Sequence, residues 1–212
     1  DLEHPLFNVI NGGTIKNINF ENVDINRPYQ NQIATLGFNL KNKGLIEDVK
    51  VTGSVTGNND VAGVVNKIDE DGKIENVAFI GKIDSVGNNS TVGGIAGSNY
   101  MGFVNRAYVD ATITAQNANA SMLVPFVTYM LNSWKSGTKA KVTNSVAKGV
   151  LDVKNTRNVG GIVAKTWPYG AVQDNVTYAK VIKGQEIFAS NDVNDEDGGP
   201  HIKDLFGVVG YS

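Results

Sequence analysis

Along much of this chain apolar residues fall at every second position, as in Val49, Val51, Gly53 and Val55, and again in Val77, Phe79, Gly81 and Ile83. A helix with one buried face would place them three and four apart over ten or more residues, so the alternation predicts strands. The strands belong to a phrase, Gly-x-[Ile/Val]-x-[Asn/Asp]-x-x-x-x-[Gly/Ala]-x-[Val/Ile/Leu], whose five copies start at Gly44, Gly72, Gly102, Ala140 and Gly170. A shortened copy precedes them at Gly13, with Ile15, Asn17, Ile18, Phe20 and Ile25. A second phrase lies between the anchors: Val61-Ala-Gly-Val-Val65, Val92-Gly-Gly-Ile-Ala96 and Val159-Gly-Gly-Ile-Val163, echoed by Leu36-Gly-Phe38 and Leu205-Phe-Gly-Val-Val209. Each unit of about thirty residues therefore holds at least two short strands, and a period of that length marks a solenoid.

Gly57-Asn-Asn-Asp60 and Gly87-Asn-Asn-Ser90 supply the corners, since Gly, Asn and Asp accept turn conformations. Equivalent strands of successive units then stack in parallel about 4.8 Å apart. The expected fold is all-β, a right-handed parallel β-solenoid (β-helix) of about six coils with one short helical insertion. It fills 1–212 as a single domain, with repeat coils over 13–181, an insertion at about 121–139, an acidic loop at about 189–201 and a closing strand at 203–210.

The repeated Ile, Val and Phe are expected to point inward in rows of like residues, and no coil is expected to be stable alone. The Gly or Ala at 53, 81, 111, 149 and 179 fits a tight place in the wall, where a larger side chain would overpack it. The column Asn17, Asp48, Asn76, Arg106, Asn144 and Asp174 is read as a ladder of turn-forming side chains bonded to neighbouring backbone, because catalysis needs one constellation rather than one copy per coil. The third unit departs from the rule. Pro125 is taken to replace the glycine of the second phrase, and the next anchor comes 38 residues on instead of about thirty. Ser121 to Trp134 reads as a strand followed by a short apolar helix, Val127 to Asn132. Insertions in repeat proteins fall on one face, often the binding face.

Composition narrows the functions. Nineteen basic against 21 acidic residues, a net charge of -2, leave no basic stripe for nucleic acid. Cysteine is absent, which removes disulfides, thiolate metal sites and cysteine nucleophiles. The most apolar stretch, Met122 to Leu131, is too short to span a bilayer and contains Pro125. The chain opens on Asp1 rather than methionine and reads as a piece excised from something longer.

Little of the remaining chemistry forms a site. The two histidines, His4 and His201, stand outside any H-E-x-x-H context, so no zinc hydrolase site is encoded. Val92-Gly-Gly-Ile-Ala-Gly97 resembles a nucleotide loop only until its counterparts at Val61 and Val159 identify it as a coil strand. Asp192, Asn194, Asp195 and Asp197 offer oxygen ligands, but without calcium-loop spacing, and read as a solvated loop. Asp48 and Asp174 lie too far apart in the stack to pair as acid and base. The aromatic residues say more. Six positions beyond a second-phrase glycine stand Tyr100 and Trp167, and the inserted Tyr129 and Trp134 leave the same corner, with Tyr169 close to Trp167. Tyr100, Tyr129, Trp134, Trp167 and Tyr169 are thus candidate protein-binding residues. The competing reading packs the inserted helix over these rings as a satellite core.

The Gly-x-Ile-x-Asn-Val phrase followed by Val-Gly-Gly-Ile resembles the GLUG repeats of Gram-positive surface proteins. The opening Pro5-Leu-Phe-Asn-Val-Ile-Asn-Gly-Gly-Thr-Ile-Lys-Asn-Ile18 and the Thr166-Trp-Pro-Tyr-Gly170 corner resemble, more specifically, the non-catalytic N-terminal region of the streptococcal immunoglobulin A1 protease family. The resemblance runs through about Phe188. It implies a parent that is a cell-wall-anchored or secreted zinc metalloendopeptidase cleaving immunoglobulin A1, or other host glycoproteins in sister enzymes. Its zinc would lie in a separate catalytic domain, none of whose motif positions occurs in this chain, so no catalytic or metal residue and no cofactor is assigned here. The implied partners are the parent's own catalytic domain and host immunoglobulin A1, with no nucleic acid and no membrane segment. The implied role is a scaffold or substrate-recognition domain. Two other classes stay open: a surface adhesin module binding host protein or glycan, and a carbohydrate-active β-helix enzyme.

Overall fold

The computed structural model describes residues 4–88, 91–116, 119–124, 126–127, 140–154, 158–166 and 171–183. These form a parallel β-solenoid with three walls and, among the described residues, no helix. The long wall carries six rungs: Thr14–Arg27, Leu45–Gly57, Lys73–Ser85, Phe103–Asn105 with Tyr108–Gln116, Lys141–Thr143 with Val146–Lys154, and Ala171–Gln173 with Val176–Lys183. From each rung the chain passes to a short wall (Val61–Ala62, Thr91–Gly93, Asn119–Ser121 and Asn158–Gly160, with Ile33 bridged to Val61). It then enters a third wall (Phe7–Asn11, Gly37–Lys41, Val65–Ile68, Ala96–Asn99, Phe126–Val127 and Lys165–Thr166). About five complete turns result, one fewer than the six coils expected from the repeats, because the six long rungs bracket five circuits.

The repeat arithmetic holds residue for residue. Ile15, Ile46, Ile74, Val104, Val142 and Val172 are successive partners, as are Phe20, Val51, Phe79, Val109, Ala147 and Thr177. These rows point into one continuous core in which Ile46, Ile74, Phe79, Val104 and Ile113 are fully buried. Burying a side chain such as Phe79 contributes about 1.5–3 kcal/mol, and the contacts that achieve it come mainly from adjacent rungs, so the turns stabilise one another. The first copy is one residue longer than its neighbour, not shorter. Its register slips between Phe20 and Val23, and Asn22 takes a left-handed φ of 55° at this bulge.

The polar column at the start of each long rung is a backbone device. Asn17, Asp48, Asn76, Arg106, Asn144 and Asp174 all have φ between 51° and 56°, the left-handed region that Asn and Asp tolerate best. Among the described residues, the bonds that these side chains make run to side chains of the preceding rung rather than to backbone: Asn76 Nδ2 donates to Asp48 Oδ1 at 2.5 Å, Arg106 pairs with Glu75 at 2.7 Å, and Asn144 Nδ2 donates to Asn105 Oδ1 at 2.8 Å. The glycine column also differs in its cause from simple tightness. Gly53, Gly81 and Gly149 have φ of 137°, 150° and 111°, while the aligned Ala111 has no positive φ and is buried. The same row therefore holds two backbone conformations.

The second phrase needs correcting at the irregular turn. Ala120 pairs with Val92 and Ser121 with Gly93, so Met122 takes the place of Gly94, and Pro125 lies outside the described residues. Gly63 and Gly94 make room for Phe79 and Val109, respectively, which a Cβ would strike. In the next turn the bulk is exchanged: the fully buried Met122 accompanies Ala147, the smallest side chain of that column. Near the start of the chain Gly37 aligns with Val65, so Leu36-Gly-Phe38 is not in phase with the glycine phrase. Val127 continues a third-wall strand, paired with Asn99 and Thr166, instead of opening a helix. Residues 119–124 and 126–127 thus keep the regular register, and the additional residues of this turn fall after Val127. The rest of the expected helix, the acidic loop at 189–201 and the closing strand at 203–210 lie outside the described residues.

Candidate functional site

Of the five aromatic candidates, Tyr100 is placed; Tyr129, Trp134, Trp167 and Tyr169 lie outside the described residues. Tyr100 follows the third-wall strand Ala96–Asn99 at a bend, half-buried, its N–H donating to the Ile68 carbonyl at 2.9 Å. Lys67 Nζ sits 4.6 Å from the centroid of the Tyr100 ring and 2.8 Å from Asp69 Oδ2. A cation over an exposed ring is worth about 0.5–1 kcal/mol. The corner is held from beneath by Asn99, which is fully buried. Its Oδ1 accepts from Gly102 N at 2.7 Å, and its Nδ2 donates to the Gly102 and Lys141 carbonyls at 3.0 and 3.2 Å. A side-chain amide thus supplies hydrogen bonds that backbone would otherwise have to find. The sequence signal was an Asn three residues before the anchor glycine.

Sequence reasoning missed the outer face of the long wall. It followed the inward phase of the alternation, whereas the outward phase turns apolar in the later rungs. Ile80, Tyr108, Val146, Val150, Val176 and Tyr178 occupy outward positions on four successive rungs, with Val176 45% and Tyr178 73% exposed. At the centre Lys148 Nζ lies 3.0 Å from Asp110 Oδ2 and 5.5 Å from the centroid of Tyr108, whose hydroxyl donates to the same carboxylate oxygen at 3.4 Å. Hydrogen bonding to Tyr108, then to Asp110, holds the Lys148 ammonium above the ordinary lysine range, so the group stays charged at any physiological pH. A flat sheet with aromatic and β-branched residues around a neutralised charge pair is chemically suited to protein contact, since Tyr supplies large area at low entropic cost.

The described residues contain no group of three or more His, Asp or Glu positioned to hold a metal ion, so they do not fit a zinc centre. No described helix is long and apolar enough to cross a membrane.

Residues 1–53 match the sequence profile of the M26 IgA1-specific metallo-endopeptidase N-terminal region. The whole chain is 54% identical to part of the zinc metalloprotease ZmpB of Streptococcus pneumoniae serotype 4, covering 11% of that protein. It is 31% identical to the zinc metalloprotease ZmpC of the same strain over 92% of this chain and 11% of that one. Against the immunoglobulin A1 protease of Streptococcus sanguinis it is 25% identical over 79% of this chain and 9% of the relative. The chain spans about a tenth of the length of the curated relatives it matches.

Proposed function

Identity along its whole length places this chain in the streptococcal zinc metalloprotease and immunoglobulin A1 protease family, as a segment of its N-terminal region, and from that premise we propose that it is a non-catalytic scaffold and substrate-recognition domain. In this reading the parent is an extracellular zinc metalloendopeptidase of the bacterial surface acting on immunoglobulin A1. The zinc belongs to a separate catalytic domain and no step of hydrolysis is assigned to residues of this chain. The observation that carries the reading is the outward surface of the long wall, where Tyr178 and Val176 stand exposed on a parallel sheet beside the half-buried Val150 and Tyr108. Remote binding of this kind raises specificity without touching the scissile bond. Tyr100, together with the sequence candidates Tyr129, Trp134, Trp167 and Tyr169, is the second set of residues proposed for the same partner.

The test is binding of immunoglobulin A1, and of its Fab and Fc pieces, to the immobilised chain and to Tyr178→Ala, Val176→Ser, Trp134→Ala and Trp167→Ala variants. Loss of a hot-spot residue costs about 2 kcal/mol or more, about thirtyfold in Kd, with the thermal midpoint unchanged for the exposed wall residues. Absence of binding by the unmodified chain, together with unaltered cleavage by a parent carrying the same substitutions, refutes substrate recognition and leaves the scaffold role.

A further inference from the structure

The first rung has the side chains of an interior rung but a neighbour on one side only. Among the described residues, Phe7–Asn11 pairs with Gly37–Lys41 alone and Thr14–Arg27 with Leu45–Gly57 alone, whereas those partners are paired on both sides. In a parallel ladder such an edge leaves alternate N–H and C=O groups without a strand partner. The side chains repeat the point. Ile18 shares its column with Val49 and Val77, which are 2% and 1% exposed, yet it is 44% exposed. Phe7 shares its column with Val65 and Ala96, both 0% exposed, and is 46% exposed. A terminal rung that closes a solenoid presents a polar outer face; this one presents the columns of the core.

Beside the edge runs a groove of about 420 Å³ lined by Leu6, Phe20 and Val23, by polar residues of the bulge, and by Thr35. The Thr35 side chain is fully buried and its Oγ1 has no hydrogen-bond partner. A buried hydroxyl left unpaired costs about 1–3 kcal/mol, so such groups are nearly always satisfied.

We propose that this edge receives one further parallel turn of polypeptide, contributed by the part of the parent protein that precedes Asp1. Its strands pair with Phe7–Asn11 and with Thr14–Phe20, place apolar residues against Ile15, Ile18 and Phe20, and lift away at the Glu21–Asn22 bulge, where a polar side chain reaches Thr35 Oγ1. The occupant follows from the pattern of the molecule: every described strand pairing is parallel and joins residues roughly one repeat apart. A second copy docked about a two-fold axis would pair antiparallel. The proposal rests on this chain being a segment of a longer protease, but on no binding partner, so its failure is distinguishable from failure to bind immunoglobulin A1.

The experiment compares amide hydrogen exchange of residues 7–20 in the full parent protein and in this chain alone. The expected result is exchange slowed by about tenfold or more in the parent, to the level of Leu45–Gly57. Ile18→Asp should remove that protection in the parent while leaving the midpoint of the isolated chain within about 1–2 °C. Equal exchange of 7–20 in the two proteins overturns the proposal. So does a chain that sediments as a dimer and becomes monomeric with Ile18→Asp, because the occupant is then a second copy.

Discussion

Replacing Gly81 by alanine separates two explanations of the small-residue row. If that row only marks a tight place, alanine is nearly harmless, since Ala111 fills the next rung. The geometry says otherwise. Gly81 has a φ of 150°, and a Cβ there would be driven into the Gly53 carbonyl oxygen, with the carbonyl carbon at 2.9 Å and the nitrogen at 3.1 Å. Holding a non-glycine residue in such a region costs about 1–3 kcal/mol, and overpacking against immobile backbone adds about 1–3 kcal/mol. The rung can relax partway toward the backbone that Ala111 adopts, so the expected loss is about 3 kcal/mol. For a domain of this size that lowers Tm by about 6–12 °C. The reverse change, Ala111→Gly, removes one buried methyl and adds chain entropy in the unfolded state, together about 1.5 kcal/mol. Denaturant titration of both variants gives the comparison. A Gly81→Ala loss no larger than that of Ala111→Gly refutes the backbone argument and restores simple packing as the cause.

Asn99→Leu should lower stability by about 2–4 kcal/mol, read as a denaturant midpoint shift with unchanged slope, because Gly102 N and two carbonyls lose a buried partner. An effect under about 0.5 kcal/mol would show that water replaces the amide. The Lys148 cluster should contribute nothing to pH dependence between about pH 6 and 9. Its folded pKa is raised, so whatever stability it gives is present below the ordinary lysine value of 10.5 and is lost only as pH rises through the still higher folded value. An NMR titration of the Lys148 side chain showing deprotonation below 10.5 would contradict the hydrogen bonding to Tyr108 and Asp110.

The period, the alternation and the anchor glycines made the fold legible, because a parallel solenoid imposes one register on every turn. The row Ile46, Ile74, Val104, Val142 can be aligned by counting, and the strand pairing aligns it the same way. Counting failed where the chain exchanged volumes between walls. Met122 in a glycine position is tolerated in the turn where Ala147 replaces the larger Phe79 and Val109 of the same column, and no local signal announces that exchange. Val127 reads as the start of a helix but continues the strand Phe126–Val127, and the reason is related: a short apolar run reads as helix or strand alike until its neighbours are known. The outward patch escaped because Tyr and Val in a strand look like core residues until the phase of the pleat assigns them to one face.

By itself, then, the sequence determined the architecture, the left-handed column from Asn17 to Asp174 and the family relationship, all of which depend on local chemistry repeated at a fixed interval. The tertiary structure decided what repetition cannot express. It showed which alternate residues face water on the long wall, why Gly81 and Ala111 occupy one row with different backbones, and that the first rung ends in uncovered core columns. Each of these depends on what lies on the adjacent rung or on its absence, and that neighbour is about thirty residues away in the chain.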